Sequence, residues 1–186
     1  MVVSLFAFAA GIFAWTLVEY AIHGWMSHRF VTFATALHQV HHRDPRAVFA
    51  IGAWPPTAAI AVLLMYVCGV TLATCFALGM VAGFALYELI HYRLHFARPA
   101  GRIEMRLRTR HLAHHYALED RCLGVTTALW DRLFGTEPPP EELAALAPRM
   151  NGIEPLAGGS NAARVSALMR AVLPRLGFAL RRGQVR

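Results

Sequence analysis

The sequence has 186 residues, which is enough for one domain and excludes a separate cofactor-binding module. Hydrophobic residues make up 56% of the chain and charged residues only 16%, a composition that excludes an ordinary water-soluble domain of this size. The formal net charge is +7, and every basic side chain that contributes to it is arginine. Because the arginines flank apolar runs instead of forming a separate basic face, they are typical of membrane topology signals, and no nucleic acid is expected as a partner.

Three apolar segments predict membrane spans at about residues 2–22, 48–68 and 71–90. Each is close to the ~20 residues that cross the hydrocarbon core of a bilayer. In the second and third segments the only charged residue is Glu88, and a break is expected near Gly69. The prolines at positions 55 and 56 are expected to lie in the first turn of the second span or to kink it. These two segments are therefore predicted to form a membrane hairpin.

The arginines predict the orientation of the spans. They follow the first span and the third span, whereas the N-terminus and the turn at Gly69 carry none. By the positive-inside rule, the N-terminus is expected outside and both arginine-bearing regions in the cytoplasm. All histidines lie on that same side. The sequence thus predicts an all-α integral membrane protein with about three transmembrane helices and a cytoplasmic helical cap that carries the histidines.

The C-terminal part of the chain differs in composition from the rest. Residues 1–140 are expected to form the membrane domain and residues 141–186 a polar loop and a basic tail on the cytoplasmic side. The loop is predicted over residues 141–162. From Asn161 onward apolar residues recur at helical spacing among arginines, which fits a basic interfacial helix and a frayed tail equally well.

The ten histidines fall into four groups with the spacings H-x4-H, H-x2-H-H, H-x3-H and H-x2-H-H, and none is left over. They are His23, His28, His38, His41, His42, His91, His95, His111, His114 and His115. Because one first-row metal ion takes only about four to six ligands, ten imidazoles predict two metal ions. Imidazole binds iron, zinc, copper and nickel, so the ligand type does not name the metal.

The spacing within the groups predicts how the imidazoles are directed. Positions i, i+3 and i+4 share a helical face, so each H-x2-H-H group is expected to aim three imidazoles at one point. His91 and His95, four residues apart, are expected to bind one ion together. His23 and His28 are five apart, which is off-face on a regular helix, so the helix is expected to end or distort near Gly24.

Two carboxylates precede histidines by one helical turn. Glu19 lies four residues before His23, and Glu88 lies three residues before His91. An ionisable group in an apolar span is costly and points to a function. Each carboxylate is expected to accept a hydrogen bond from an imidazole N–H and fix its tautomer. Direct binding of the metal by the carboxylate and a purely structural hydrogen bond are the alternatives.

The runs around the histidine groups resemble the histidine boxes of the fatty acid hydroxylase/sterol desaturase superfamily. The run Glu19–His23 with His28, and the run His38–His42, are similar to the first two boxes. Residues 87–96, YELIHYRLHF, resemble the third box of the fatty acid 2-hydroxylases in particular.

The similarity continues into the second half of the chain. Residues 110–116, RHLAHHY, resemble the fourth box, and GVTT and LWDRLFGT follow at residues 124–127 and 129–136. The resemblance covers about residues 15–137. Asp131, within the last of these runs, is a further candidate to support the histidines.

The resemblance implies a non-haem di-iron centre that uses O2 and two electrons to hydroxylate a lipid C–H bond. It also implies that all ten histidines are metal ligands, and zinc in a purified sample would be compatible with iron as the working metal. The better-known fatty acid 2-hydroxylases have a further N-terminal span, and some carry a fused cytochrome b5 domain. The electrons are therefore expected from a separate donor such as a ferredoxin or a cytochrome.

Other functions remain open at the level of the sequence. A carotenoid hydroxylase has similar boxes, but its third box usually spaces the histidines one residue wider than His91 and His95. A sterol-type oxidase or desaturase shares the first hydrogen abstraction. A metal transporter or other metal-binding membrane protein is the alternative outside enzymes, although a transporter is expected to carry ionisable groups near the bilayer midplane. A membrane hydrolase with two zinc ions lacks support because the sequence has no G-x-S-x-G motif.

Overall fold

The computed structural model describes residues 2–48 and 54–157, and within them every regular element is a helix. In chain order the elements are α1 (Val2–Tyr20), which continues as a π-helix (Ala21–Arg29), then α2 (Phe33–Arg43), α3 (Trp54–Cys68), α4 (Val70–Phe96), α5 (Arg102–Tyr116), α6 (Leu129–Phe134) and α7 (Pro140–Asn151). The predicted all-α fold is confirmed for this part of the chain. The basic segment that begins at Asn161 lies outside the described residues.

Within residues 2–48 and 54–157, two helices are long and apolar enough to cross a membrane. They are the continuous helix Val2–Arg29 and α4, each of which contains an 18-residue stretch with a mean hydropathy of 1.9. Helix α3 is shorter, with 15 residues. It is separated from α4 by Gly69, whose φ of +84° favours glycine, so the predicted break between the second and third apolar segments is confirmed. The two prolines lie in the first turn of α3, as expected.

Helices α1 and α4 pack in parallel through glycines. A side chain on Gly79 would collide with the carbonyl oxygen of Phe8, and one on Gly83, a turn later, would collide with Trp15. Later positions of α4 therefore meet later positions of α1. Small residues at these positions let the two backbones approach closely. The C-terminal ends of both helices, which carry the H-x4-H and H-x3-H groups, consequently lie at the same end of the molecule.

Helices α2 and α5 pack beside these C-terminal ends. Helix α2 begins with a capping box, in which Thr32 Oγ1 accepts from the Ala34 N–H and Thr35 Oγ1 accepts from the Thr32 N–H. Helix α5 is joined to α4 by an ion pair between Arg93 and Glu104, with Nε and Oε1 2.7 Å apart. The two helices that carry the H-x2-H-H groups are thereby brought to the other histidines.

Two of the arginines that the sequence predicts to be topology signals are buried. Arg108 donates to the carbonyl oxygens of Leu94 and Ile153, at 3.0 and 2.8 Å, and so joins α4, α5 and the segment after α7. The side chain of Arg110 is 7% exposed and forms an ion pair with Asp131. These two residues stabilise the fold, so their charges do not report on the side of the membrane.

The loop predicted over residues 141–162 is wrong for its first part, because Pro140–Asn151 is helix α7. A proline lies at the first position of this helix. Glu141 and Glu142 lie in its first turn, where the helix dipole stabilises carboxylates. The fully buried Met150 packs against Leu112 of α5. Helix α7 therefore extends the folded domain beyond residue 140.

Candidate metal centre

The ten histidines converge into two groups of five. Site 1 contains His23, His28, His38, His42 and His114, and site 2 contains His41, His91, His95, His111 and His115. Within each group the potential ligand atoms all lie within 4.8 Å of one another. The structure thus brings together all of the histidines that the sequence singled out, and it divides them equally.

The division differs from the prediction in one respect. The expectation that the three imidazoles of each H-x2-H-H group aim at one point is wrong. His38 and His42 belong to site 1 while His41 belongs to site 2, and His111 and His115 belong to site 2 while His114 belongs to site 1. On an α-helix, adjacent residues are about 100° apart around the axis, so the middle histidine diverges from the last. Helices α2 and α5 therefore each contribute histidines to both sites.

A π-helix brings His23 and His28 together. In this conformation the backbone bonds run from i to i+5, as in the 2.8 Å bond from the Phe30 N–H to the Trp25 carbonyl oxygen. Residues five apart then lie on the same face, and the two imidazole centroids are 5.4 Å apart. The predicted distortion near Gly24 is confirmed, and its form explains the H-x4-H spacing.

The Nε2 atoms have the spacing of ligands around an ion. In site 1 the distances are 3.0 Å for His23–His38, 2.8 Å for His38–His42 and 3.1 Å for His42–His114. In site 2 they are 3.0 Å for His41–His91, 2.8 Å for His95–His111 and 3.1 Å for His111–His115. Two nitrogens at right angles around an ion, each about 2.0–2.1 Å from it, would be about 2.9 Å apart. The donor geometry therefore fits a bound metal ion in each site.

Two carbonyl oxygens fix the tautomers of histidines in site 1. His23 Nδ1 donates to the Leu123 carbonyl oxygen, and His114 Nδ1 donates to the Arg121 carbonyl oxygen at 3.0 Å. Because a carbonyl can only accept, each Nδ1 carries the proton and each Nε2 presents a lone pair to the site. Clustered lone pairs repel one another unless a cation lies between them. The donor chemistry thus also fits a metal.

Burial keeps the imidazoles neutral. Desolvation, with a contribution from neighbouring imidazoles, lowers the pKa of His41, His111 and His114 well below the usual value. A neutral imidazole is the form that binds a metal.

Two buried carboxylates hold the loop that supplies these carbonyl oxygens, residues 121–126. Asp131 accepts from the N–H groups of Leu123 and Gly124, at 2.7 and 2.9 Å. Glu19 accepts from the N–H groups of Val125 and Thr126, at 2.6 and 3.0 Å. The hydrogen bonds of Glu19 thus run to the loop, where a bond from an imidazole was expected. Both carboxylates support His23 indirectly, through the position of the loop.

Asp131 is also joined to buried arginine. Its side chain is fully buried, and its Oδ2 lies 2.8 Å from Arg110 Nη2, while Arg110 Nη1 bonds to Glu137. Burial raises the pKa of Asp131, and hydrogen bonds from Thr136 and Gly124 together with the guanidinium of Arg110 oppose this rise. The carboxylate is thereby held in one orientation with both oxygens occupied.

Comparison with known proteins agrees with this geometry. The fatty acid hydroxylase family model matches residues 8–136. The dihydroceramide fatty acyl 2-hydroxylase FAH2 of Arabidopsis thaliana is 34% identical over 143 residues, which is 70% of this chain and 60% of that protein. The ceramide very long chain fatty acid hydroxylase scs7 of Schizosaccharomyces pombe is 35% identical, over 74% of this chain and 44% of that protein. The fatty acid 2-hydroxylase of Homo sapiens is 32% identical, over 71% of this chain and 39% of that protein.

The fold is similar as well. A solved structure of full-length scs7p, in which only the hydroxylase domain is visible, superimposes with a TM-score of 0.67 at 28% identity, and the match covers 83% of this chain and 59% of that one. The chain belongs to the fatty acid hydroxylase family. It spans between 39% and 60% of the length of the three relatives named above. The comparisons thus confirm the resemblance to this family that the histidine boxes indicated.

Some residues around the two histidine sites were not found from the sequence. The carbonyls of Arg121 and Leu123 carry no side-chain signal, because any residue can supply a backbone oxygen. Gly124 is a weak signal, since a side chain there would collide with the Thr127 carbonyl oxygen. Glu88 is partly buried on α4, and its predicted support of His91 stays a prediction.

Proposed function

We propose that this protein is a membrane-embedded, O2-dependent di-iron hydroxylase that inserts a hydroxyl group into a C–H bond of a fatty acyl chain. The observation that carries this proposal is the equal division of ten imidazoles into two adjacent five-histidine sites. Neutral imidazole ligands suit iron and leave the charge of the ion uncompensated. Two iron ions bound there would supply O2 activation and C–H cleavage.

The overall reaction consumes O2, the lipid C–H group, two electrons and two protons, and yields an alcohol and water. We propose that the electrons come from a separate protein such as a ferredoxin or a cytochrome. The contribution of the chain itself is positioning, since the carbonyls of loop 121–126 orient His23 and His114 before a metal or substrate binds. Such fixed donors are the usual way in which neighbouring groups tune a metal site.

The proposed substrate is a fatty acyl chain, free or within a ceramide-type lipid. The relatives named as fatty acyl and ceramide hydroxylases support this class. The position of the histidines supports it too, because His23 and His91 lie near the C-terminal ends of two long apolar helices. An acyl chain that enters from the hydrocarbon region would reach the sites at that level.

We further propose three membrane spans, with the histidines and the C-terminus in the cytoplasm. The parallel packing of α1 and α4 supports the number of spans, because the chain must cross back between two parallel spans. Helix α3 precedes α4 in the chain and joins it at the Gly69 turn. Among the described residues, it is the shorter apolar helix that is available for the return.

The ligand assignment is tested in α2 and α5. We expect His41→Ala, in site 2, and His114→Ala, in site 1, each to abolish hydroxylation and to lower the iron content by one ion per chain. Gln39→Ala is the matched control, because Gln39 is exposed on α2 between the histidines. Activity is measured as incorporation of 18O from 18O2 into hydroxylated fatty acid by mass spectrometry. Full activity with both ions retained in either histidine variant would overturn the assignment.

A further inference from the structure

We propose that residues 123–134, which comprise the end of loop 121–126, the two residues after it and helix α6, lie within the membrane beside α1. In this arrangement Leu129, Leu133 and Phe134 contact the acyl chains of the bilayer. The inference rests on the proposed insertion of α1 and α4 in the membrane. It adds a lipid-contacting surface on an element that is too short to span a bilayer.

The depth follows from the contacts of Trp130. Its Nε1 donates to Thr16 Oγ1 at 2.9 Å, and its ring centroid is 5.6 Å from that of Phe13. Thr16 and Phe13 precede His23 by seven and ten residues, which at 1.5 Å per residue is about 10 to 15 Å along the helix. The indole therefore lies beside the middle of the continuous helix Val2–Arg29, at a level where this helix is inside the hydrocarbon region if it spans the membrane as proposed.

Helix α6 has one buried side and one exposed apolar side. Trp130 and Asp131 are buried, whereas Leu133 is 66% exposed and Leu129 and Phe134 are each 44% exposed. The exposed side continues onto α1, where Phe13 is 55% exposed. Because this surface continues the outer face of a membrane helix, acyl chains are the partner that covers both.

The N–H groups of the loop form hydrogen bonds within the protein, as an environment without water requires. Non-helical backbone at membrane depth is tolerated only where its polar groups are bonded within the protein. Four consecutive N–H groups, from Leu123 to Thr126, donate to the carboxylates of Glu19 and Asp131. In a loop exposed to water, these N–H groups could donate hydrogen bonds to solvent instead. The two buried carboxylates thus have a physical reason to lie beside an apolar helix.

One exposed charged side chain on α6 must be accommodated. Arg132 is exposed, and it follows the buried Asp131. Long arginine side chains at membrane interfaces lay their aliphatic part along apolar surface and extend the guanidinium to the headgroups. Arg132 is therefore expected to reach lipid phosphate from its position on α6.

The test uses a photo-crosslinking amino acid, benzoylphenylalanine, introduced one position at a time in the full chain. Position 133 probes α6, position 86 probes the exposed face of α4, and position 144 probes α7, since Leu86 and Ala144 are also exposed. Each variant is reconstituted in phosphatidylcholine vesicles after its metal content is shown to equal that of the parent. Irradiation is followed by mass spectrometry for lipid adducts.

We expect lipid adducts at positions 133 and 86 and several-fold fewer at position 144. The inference would be overturned if position 86 gave adducts while position 133 gave no more than position 144. The proposed spans would remain intact in that case. The absence of adducts at both positions 133 and 86 would overturn the proposed spans together with the inference. The two failures are therefore distinguishable.

Discussion

At the scale of single residues, the Asp131 carboxylate accepts four hydrogen bonds within the protein, two on each oxygen. Oδ1 accepts from the Leu123 N–H and from Thr136 Oγ1, each at 2.7 Å. Oδ2 accepts from the Gly124 N–H at 2.9 Å and from Arg110 at 2.8 Å. Because Leu123 also holds His23 through its carbonyl oxygen, Asp131 links the buried ion pair to site 1.

We expect Asp131→Asn to weaken site 1 selectively. The amide has one acceptor oxygen in place of two, so donors on one side lose their partner, at about 1–3 kcal/mol for each buried unpaired group. The loop then no longer fixes His23, and metal affinity in site 1 is expected to fall about 10- to 100-fold, as for other groups that orient a ligand. Titration of the metal-free protein with Fe²⁺ measures both sites.

Glu154→Gln is the control, because Glu154 belongs to an exposed ion pair with Arg98. It is expected to leave both affinities unchanged. An equal loss of affinity in sites 1 and 2 of the Asp131 variant would show that Asp131 acts on the stability of the whole fold.

The side chains of the metal centre could be predicted from the sequence, whereas their partners could not. Ten histidines in four groups predicted two metal ions, and the structure places all ten in two sites. Glu19 and Asp131 were also identified. Glu19 holds the loop through backbone groups more than 100 residues away in the chain, and no local pattern in the sequence reports such a contact.

At the scale of elements, the spacing of histidines predicts geometry only when the type of helix is known. His38 and His42 share a face on α2, as regular helical spacing requires. His23 and His28 would diverge on an α-helix and converge on the π-helix Ala21–Arg29. The spacing therefore predicted a distortion near Gly24 without giving its form. Helix α7 was missed because the three prolines at residues 138–140 predict a break in the chain, whereas the last of them is the first residue of the helix.

The glycine contact between α1 and α4 predicts a further result. Gly79→Ala is expected to destabilise the protein by about 1–3 kcal/mol, as overpacking of a tight interface does. The added carbon would collide with the Phe8 carbonyl oxygen, which cannot rotate away as a side chain can. The midpoint of thermal unfolding in detergent measures the effect.

Gly101→Ala is the matched control for this substitution. Gly101 precedes α5 in an extended conformation, and nothing lies within 4 Å of an added carbon. An unchanged midpoint for Gly79→Ala, equal to that of Gly101→Ala, would contradict the close packing of the two helices.

At the scale of the whole molecule, folding brings together ten imidazoles that would repel one another if protonated. Burial lowers the pKa of His41, His111 and His114 well below the value of about 6.5 that holds in an unfolded chain. Below that pH the unfolded chain takes up protons that the folded, metal-free protein does not. The stability of the metal-free protein is therefore full above about pH 6.5 and is lost as the pH falls towards the lowered folded values.

We expect the unfolding midpoint of the metal-free protein to be several degrees lower at about pH 5.5 than at about pH 8. His114→Gln, which removes one buried imidazole, is expected to show a smaller difference between the two conditions. Equal midpoints for the parent protein at both values would mean that the imidazoles are not buried as a neutral cluster.

The central claim is that the ten histidines form two five-imidazole sites, each for one ion. X-ray absorption at the iron edge, on protein whose iron content is counted by mass spectrometry, tests it most directly. The account predicts two iron ions per chain and about five imidazole nitrogens around each, at about 2.0–2.2 Å. A single ion per chain at saturation, or a shell dominated by carboxylate oxygens, would contradict it.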